Sequence, residues 1–312
     1  MILSYLSYLT ASDEHRVIQL LELARQDKFL DKILSRLDVL GIDIKFRFWG
    51  GPGQYSPQAL SVASEDQFHE HFAQTVKQGD MACQFEFSPR HGQAVVVHTW
   101  VHELIHAYQD SLGLMMTPLQ IDGRMPIILD ARSEVQLMLL CESIATVEAI
   151  RASWRLKEQG IDAAWRGACL SFDWRKLAKS YEADIRADLS EEEAAINALA
   201  NWFGMSQRLY YEKRAINMFK KNLKGYQSSA GLADVDILPF LRTMSLQAML
   251  SKLPSFLSSV YQSMPEEISV QTMCEIQALE EKYGTCTNLS VDDIAVGSAP
   301  CLSNRQQNKR AA

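Results

Sequence analysis

His102-Glu103-Leu104-Ile105-His106 is the segment of this chain best equipped for chemistry. It falls in a stretch, Gln93 to Leu112, whose apolar spacing predicts a helix stopped by Gly113. Residues four apart on a helix share a face, so the two imidazoles can reach one ion, and neutral imidazole suits zinc. Glu103 sits about a quarter turn around, where it can activate a water at the metal and accept its proton. Chance alone gives an H-E-x-x-H in a chain of this composition on the order of once in a hundred sequences. Histidine is scarce, 7 residues in 312, yet His91, His98, His102 and His106 lie close together. Val95, Val96, Val97, Val101, Leu104 and Ile105 predict a largely buried helix, in which polar side chains need partners.

A catalytic zinc needs three protein ligands and one open position. A second long helix, predicted over 132–157, offers Glu134, Glu142 and Glu148. At helical spacing Glu142 shares its stripe with Val135, Met138, Leu139, Ala145 and Ala149, an apolar face on which an unpaired carboxylate is costly and a metal would satisfy it. Glu148 neighbours Arg151 and Arg155, where an ion pair accounts for it. Glu142 is therefore the preferred third ligand, Glu134 at the stripe's edge the runner-up, and Asp130 third. Asp110, just beyond His106, is a candidate partner for that ring. His98 reads as a core or surface histidine, and His69-Glu70-His71 as a solvated helix face with poor chelation geometry.

The elements that must position these groups can be read from periodicity. Residues 13–40 show helical spacing, and Ile42 to Phe48 alternates as a half-buried strand. Gly50 to Gly53 is a loop, 64–78 a helix, and Met81 to Ser88 a second strand ended by Pro89. After the 132–157 helix, helical segments follow at roughly 172–186, 190–222, 235–262 and 267–283, then a polar tail at 304–312. The expected fold is α+β but mostly helical: a small α/β lobe carrying the H-E-x-x-H helix, followed by a helical lobe. The expected parts are residues 1–225 as the catalytic domain, 226–300 as a helical C-terminal region and 301–312 as a disordered tail.

Composition limits the function classes. The chain is 47% hydrophobic and 22% charged, with 15 glycines and 9 prolines, which is globular rather than disordered or collagenous. A net charge of −7 argues against a nucleic-acid partner. Six cysteines without a C-x-x-C pair read as reduced thiols. With no signal-peptide pattern and no long apolar run, no membrane span and a cytoplasmic location are expected.

The arrangement resembles the zincin superfamily of metallopeptidases. Gln109 and Leu112 stand at the metzincin Gly and third-His positions and exclude that class; the likeness is to gluzincins, whose third ligand is a Glu on a later helix. Position 146 is Thr where the gluzincin pattern has Asp. Glu142-Ser143-Ile144-Ala145-Thr146, continuing to Trp154 through Gly160, also resembles the E-x-x-A helix of an uncharacterised bacterial metallopeptidase family, over roughly 80–215. The resemblance implies a zinc peptidase acting on a peptide or protein, with His102, His106 and Glu142 as ligands and Glu103 as general base. It further implies that Met81 to Ser88 is an edge strand beside the cleft, able to pair with substrate, and that an oxyanion-stabilising group comes from the second lobe; Tyr210 and Tyr211 are candidates there, although two tyrosines on a helix read first as packing. The competing expectation is a non-catalytic helical interaction protein with a structural or vestigial metal site.

Overall fold

A computed structural model describes residues 11–40, 42–48, 54–57, 82–87, 93–111, 114, 127–172, 174–230, 242–244 and 268–283, and these are mostly helical. The single helical pattern expected over 13–40 is divided into α1 (Ala11–Gln26) and α2 (Lys28–Val39). Asp27 divides them: its side chain accepts hydrogen bonds from the backbone N–H groups of Phe29 and Leu30, both at 3.0 Å, which starts a new helix in mid-pattern. α2 then buries Leu30, Ile33, Leu34 and Leu37 along one stripe, each worth roughly 1.5–3 kcal/mol.

Strands β1 (Asp43–Phe48), β2 (Gln54–Pro57) and β3 (Ala82–Phe87) form a sheet in the order β1-β3-β2. β1 runs parallel to β3 with Phe46 opposite Phe85, and β2 runs antiparallel to β3 with Tyr55 opposite the same residue. This corrects an expectation. β3 is the interior strand, with both of its hydrogen-bonding sides occupied, so it has no free row of backbone groups for a substrate strand. The zincin-like form expected for the α/β lobe, whose cleft depends on that edge, is accordingly not supported. The helix expected at 64–78, the one at 235–262 and the tail at 304–312 lie outside the described residues.

α3 (Gln93–Ser111) carries the H-E-x-x-H residues and α4 (Ala131–Glu158) carries Glu142, close to the expected bounds. Arg36 of α2 holds the end of α3, donating from Nε to Ser111 Oγ at 2.8 Å and from Nη2 to Ser111 O at 2.9 Å, and a cation there also suits the helix dipole. Asp130 caps α4 by accepting from Ser133 N at 2.9 Å. Just before it, β4 (Ile127–Leu129) pairs in parallel with β5 (Arg242–Met244).

α4 is covered on two sides. Ala145, Ala149, Ala152 and Leu156 join a core with Leu20, Leu34, Trp100 and Leu104 from α1, α2 and α3. Leu139, Leu140, Val147, Ile150 and Trp154 join a second core with the helices that follow. The first of these, α5 (Ala163–Leu170), was not expected from the sequence, and it packs so closely on α3 that only glycine fits at position 167. Next come α6 (Arg175–Arg186), α7 (Glu191–Phe203) and α8 (Gln207–Ala230). The helix expected over 190–222 is broken at Gly204, the C-cap of α7.

Two polar ties brace this frame. Arg155 of α4 grips buried Asp27 through Nε at 2.7 Å and Nη2 at 3.1 Å, fastening α4 to the α1–α2 junction. Glu212 of α8, fully buried, accepts from Arg208 Nε at 2.8 Å, from Thr272 Oγ1 at 2.8 Å and from Ser269 N and Oγ, anchoring α9 (Val270–Tyr283). Among the described residues no helix is long and apolar enough to cross a membrane.

Candidate metal centre

The spacing of His102 and His106 on α3 and the closeness of α4, made possible by its small alanines, place three side chains around one point. His102 Nε2 lies 3.1 Å from His106 Nε2. Glu142 Oε2 lies 3.7 Å from the first ring nitrogen and 3.5 Å from the second. A triangle with these edges has its corners about 2.0 Å from a common centre, which is the length of a zinc–nitrogen or zinc–carboxylate bond. All three residues are buried, at 4%, 4% and 5% exposure. Two imidazole donors and one carboxylate, desolvated and already at coordination spacing, fit a divalent transition metal. Among the described residues no fourth His, Cys, Asp or Glu joins the group.

Charge is redistributed within the trio. Burial alone would depress the His106 imidazole, but the Glu142 carboxylate outweighs it and raises the ring to about 9. Burial would raise Glu142, and the His106 and His102 rings overcome that and hold its carboxyl well below the usual range. Glu103 is also buried and is among the charges acting on His106.

The other candidates sit elsewhere. Glu134, the runner-up ligand, is not in the group; burial and then Asp130 raise it to about 7. Asp130 is spent as the cap of α4. Glu148 accepts from Arg151 Nη1 at 2.7 Å, the ion pair expected of it, while Arg155 turns to Asp27 instead. His98 is a core histidine: fully buried, with Nδ1 2.9 Å from Ser153 Oγ and its ring edge-on to Trp174 at 4.7 Å. Burial and then His102 hold it down to about 3, so it stays neutral. His69 and His71 lie outside the described residues.

Three neighbours of the centre escaped prediction. Gln109 fills the place expected of Asp110, with Oε1 2.7 Å from His106 Nδ1 and Nε2 donating to Cys141 O at 2.8 Å. Its position one turn beyond His106 was the available signal. Trp174, just before α6, lies against the His102 ring at 5.5 Å. Arg214 of α8, with its side chain 47% exposed, brings Nη1 to 3.8 Å from Glu142 Oε1, and nothing in its local sequence marks it. Of the two candidate tyrosines, Tyr210 points to solvent. Tyr211 is half-buried, and burial and then the Glu142 carboxylate push its phenol above the usual range, so it keeps its proton.

Nothing among the curated proteins or the solved structures matches the chain. Residues 61–241, more than half of it, match one family model, and that span contains α3 and α4 entire. The chain therefore belongs to the family that this model describes, the "Putative metallopeptidase family (DUF6782)".

Proposed function

We propose that the chain is a zinc-dependent peptidase in which His102, His106 and Glu142 hold the ion and Glu103 is the general base. The observation that carries this reading is the triangle of two Nε2 atoms and one carboxylate oxygen with edges of 3.1, 3.5 and 3.7 Å. Membership in a family described as metallopeptidases supports it. So do the three donors grouped among the described residues, the number of protein ligands that a catalytic zinc uses. When bound, the ion supplies Lewis acidity towards water and the scissile carbonyl.

The chain's own residues supply the rest. Glu103, next to the first ligand, takes the proton of the attacking water and returns it to the leaving amine. Arg214, whose Nη1 lies 3.8 Å from Glu142 Oε1, and Tyr211 on the same helix are the groups available to stabilise negative charge on the carbonyl oxygen. The substrate is a peptide or protein, and no nucleic acid is involved. Residues 1–225 carry the catalysis, and the region 226–300 is tied to them at Glu212. The ligand set is that of a gluzincin, with Gln109 rather than an Asp at 146 supporting a histidine.

Glu103→Gln tests the mechanism: zinc should stay near one per chain while cleavage of unfolded casein and of mixed peptides falls by about 10² or more. Cleavage by this variant at the wild-type rate would refute it.

A further inference from the structure

We propose that Gln109 is a positioning residue: it selects the His106 tautomer that offers Nε2 to the metal, its own amide being oriented by the backbone of α4 beside Glu142. The inference rests on the metal reading above.

One group in this chain of contacts has no choice of role. A backbone carbonyl can only accept, so the Gln109 atom 2.8 Å from Cys141 O must be the amide nitrogen. That leaves the amide oxygen facing His106 Nδ1 at 2.7 Å. An amide oxygen also only accepts, so Nδ1 must carry a hydrogen. In the neutral ring the lone pair then resides on Nε2, the atom that faces His102 Nε2 at 3.1 Å and Glu142 Oε2 at 3.5 Å. A ligating histidine is commonly fixed by a partner on its other nitrogen, usually a carboxylate or a carbonyl. Here a neutral amide does so and adds no charge to a buried site.

The same side chain reaches across to the other ligand helix. Cys141 directly precedes Glu142, so the bond from Gln109 Nε2 orients the amide beside the point where the third donor leaves the backbone. Gln109 is only 2% exposed and both of its polar ends are engaged within the protein. His102 lacks an equivalent: its Nδ1 has no hydrogen-bond partner among the described residues, and the ring rests on the Trp174 indole. Polar control of ring orientation is thus concentrated at His106.

Two variants of the full chain separate this role from a plain inter-helix tie. Gln109→Met removes both hydrogen bonds; Gln109→Glu keeps an acceptor for Nδ1, while its carboxylate cannot donate to Cys141 O. Zinc affinity is read by competition with a chromophoric chelator, and long-range proton–nitrogen spectra of the zinc-loaded wild type show which His106 nitrogen bears the hydrogen. We expect Gln109→Met to bind zinc about 10- to 100-fold more weakly, Gln109→Glu to recover most of that loss, and the hydrogen to sit on Nδ1. Equal losses in both variants, or methionine within about twofold of wild type, would overturn the positioning role while leaving the metal centre intact. If the methionine variant does not fold, a hydrogen on Nε2 in the wild type overturns it alone. A wild type that binds no zinc would instead remove the reading on which it rests.

Discussion

Replacing Gly167 by alanine should destabilise this protein, although helix propensity alone argues the reverse. In an exposed helix interior the change gains about 1 kcal/mol. At position 167 the added Cβ would stand 2.0 Å from Ala94 O, 2.6 Å from Ala94 C and 2.8 Å from His98 Cβ. The first two are backbone atoms of α3, so no side-chain rotation relieves the clash, and the two helices must part by about 1 Å or more. Overpacking costs roughly 1–3 kcal/mol where side chains can adapt, and a rigid backbone puts this case at or above the upper end. The net loss is then about 2 kcal/mol or more. Because α3 also carries both histidines, the same shift should loosen the ligand triangle, and displacement of about 1 Å in such a site can cost on the order of 10²-fold in rate. Urea unfolding of wild type and Gly167→Ala under one set of conditions measures the first effect, with zinc competition as the second readout. An alanine variant as stable as wild type, or more so, would refute the close approach of α5 to α3.

Two further outcomes follow from buried charge. The His106 ring is raised from 6.5 to about 9 in the metal-free protein, so its contribution to stability is fully present below pH 6.5 and is lost as pH rises through about 9. Zinc must displace that proton, so its apparent affinity should rise by up to about tenfold per pH unit across the same window while the chelator-treated chain becomes easier to unfold; affinity independent of pH would contradict this. Separately, Glu212→Gln should cost about 1–3 kcal/mol, because the amide nitrogen must then face either Arg208 Nε or the Ser269 and Thr272 hydroxyl groups, and an unchanged urea midpoint would exclude Glu212 as the anchor of α9.

What could be read from the sequence was whatever is encoded locally and at one period. The bounds of α3 and α4 followed from apolar spacing and Gly113, and Glu142 stood out because a carboxylate interrupts an apolar stripe. In the structure its Oε2 lies 3.7 Å from His102 Nε2 and 3.5 Å from His106 Nε2. Periodicity ran straight through Asp27 and Gly204, where cap chemistry divides helices that share one amphipathic phase. α5 was missed because it is a single short segment whose cue, a glycine in place of a larger side chain, has meaning only against the backbone of α3. The interior place of β3 depends on β2, a four-residue strand ending at Pro57, and strand pairing is set by distant residues rather than by local pattern. Gln109 was visible one turn beyond His106, but its second partner, Cys141 O, belongs to another helix. Arg214 reaches the centre only through the packing of α8 on α4.

In the mechanism proposed, two imidazoles of α3 and one carboxylate of α4 surround a single ion. X-ray absorption at the zinc edge, on the full chain loaded with one equivalent of zinc, addresses it directly. Two imidazole nitrogens at about 2.0–2.1 Å and oxygen donors at about 2.0–2.2 Å, with no sulphur in the shell, is the predicted result. Failure to retain zinc, or a shell containing sulphur or only one imidazole, would contradict it.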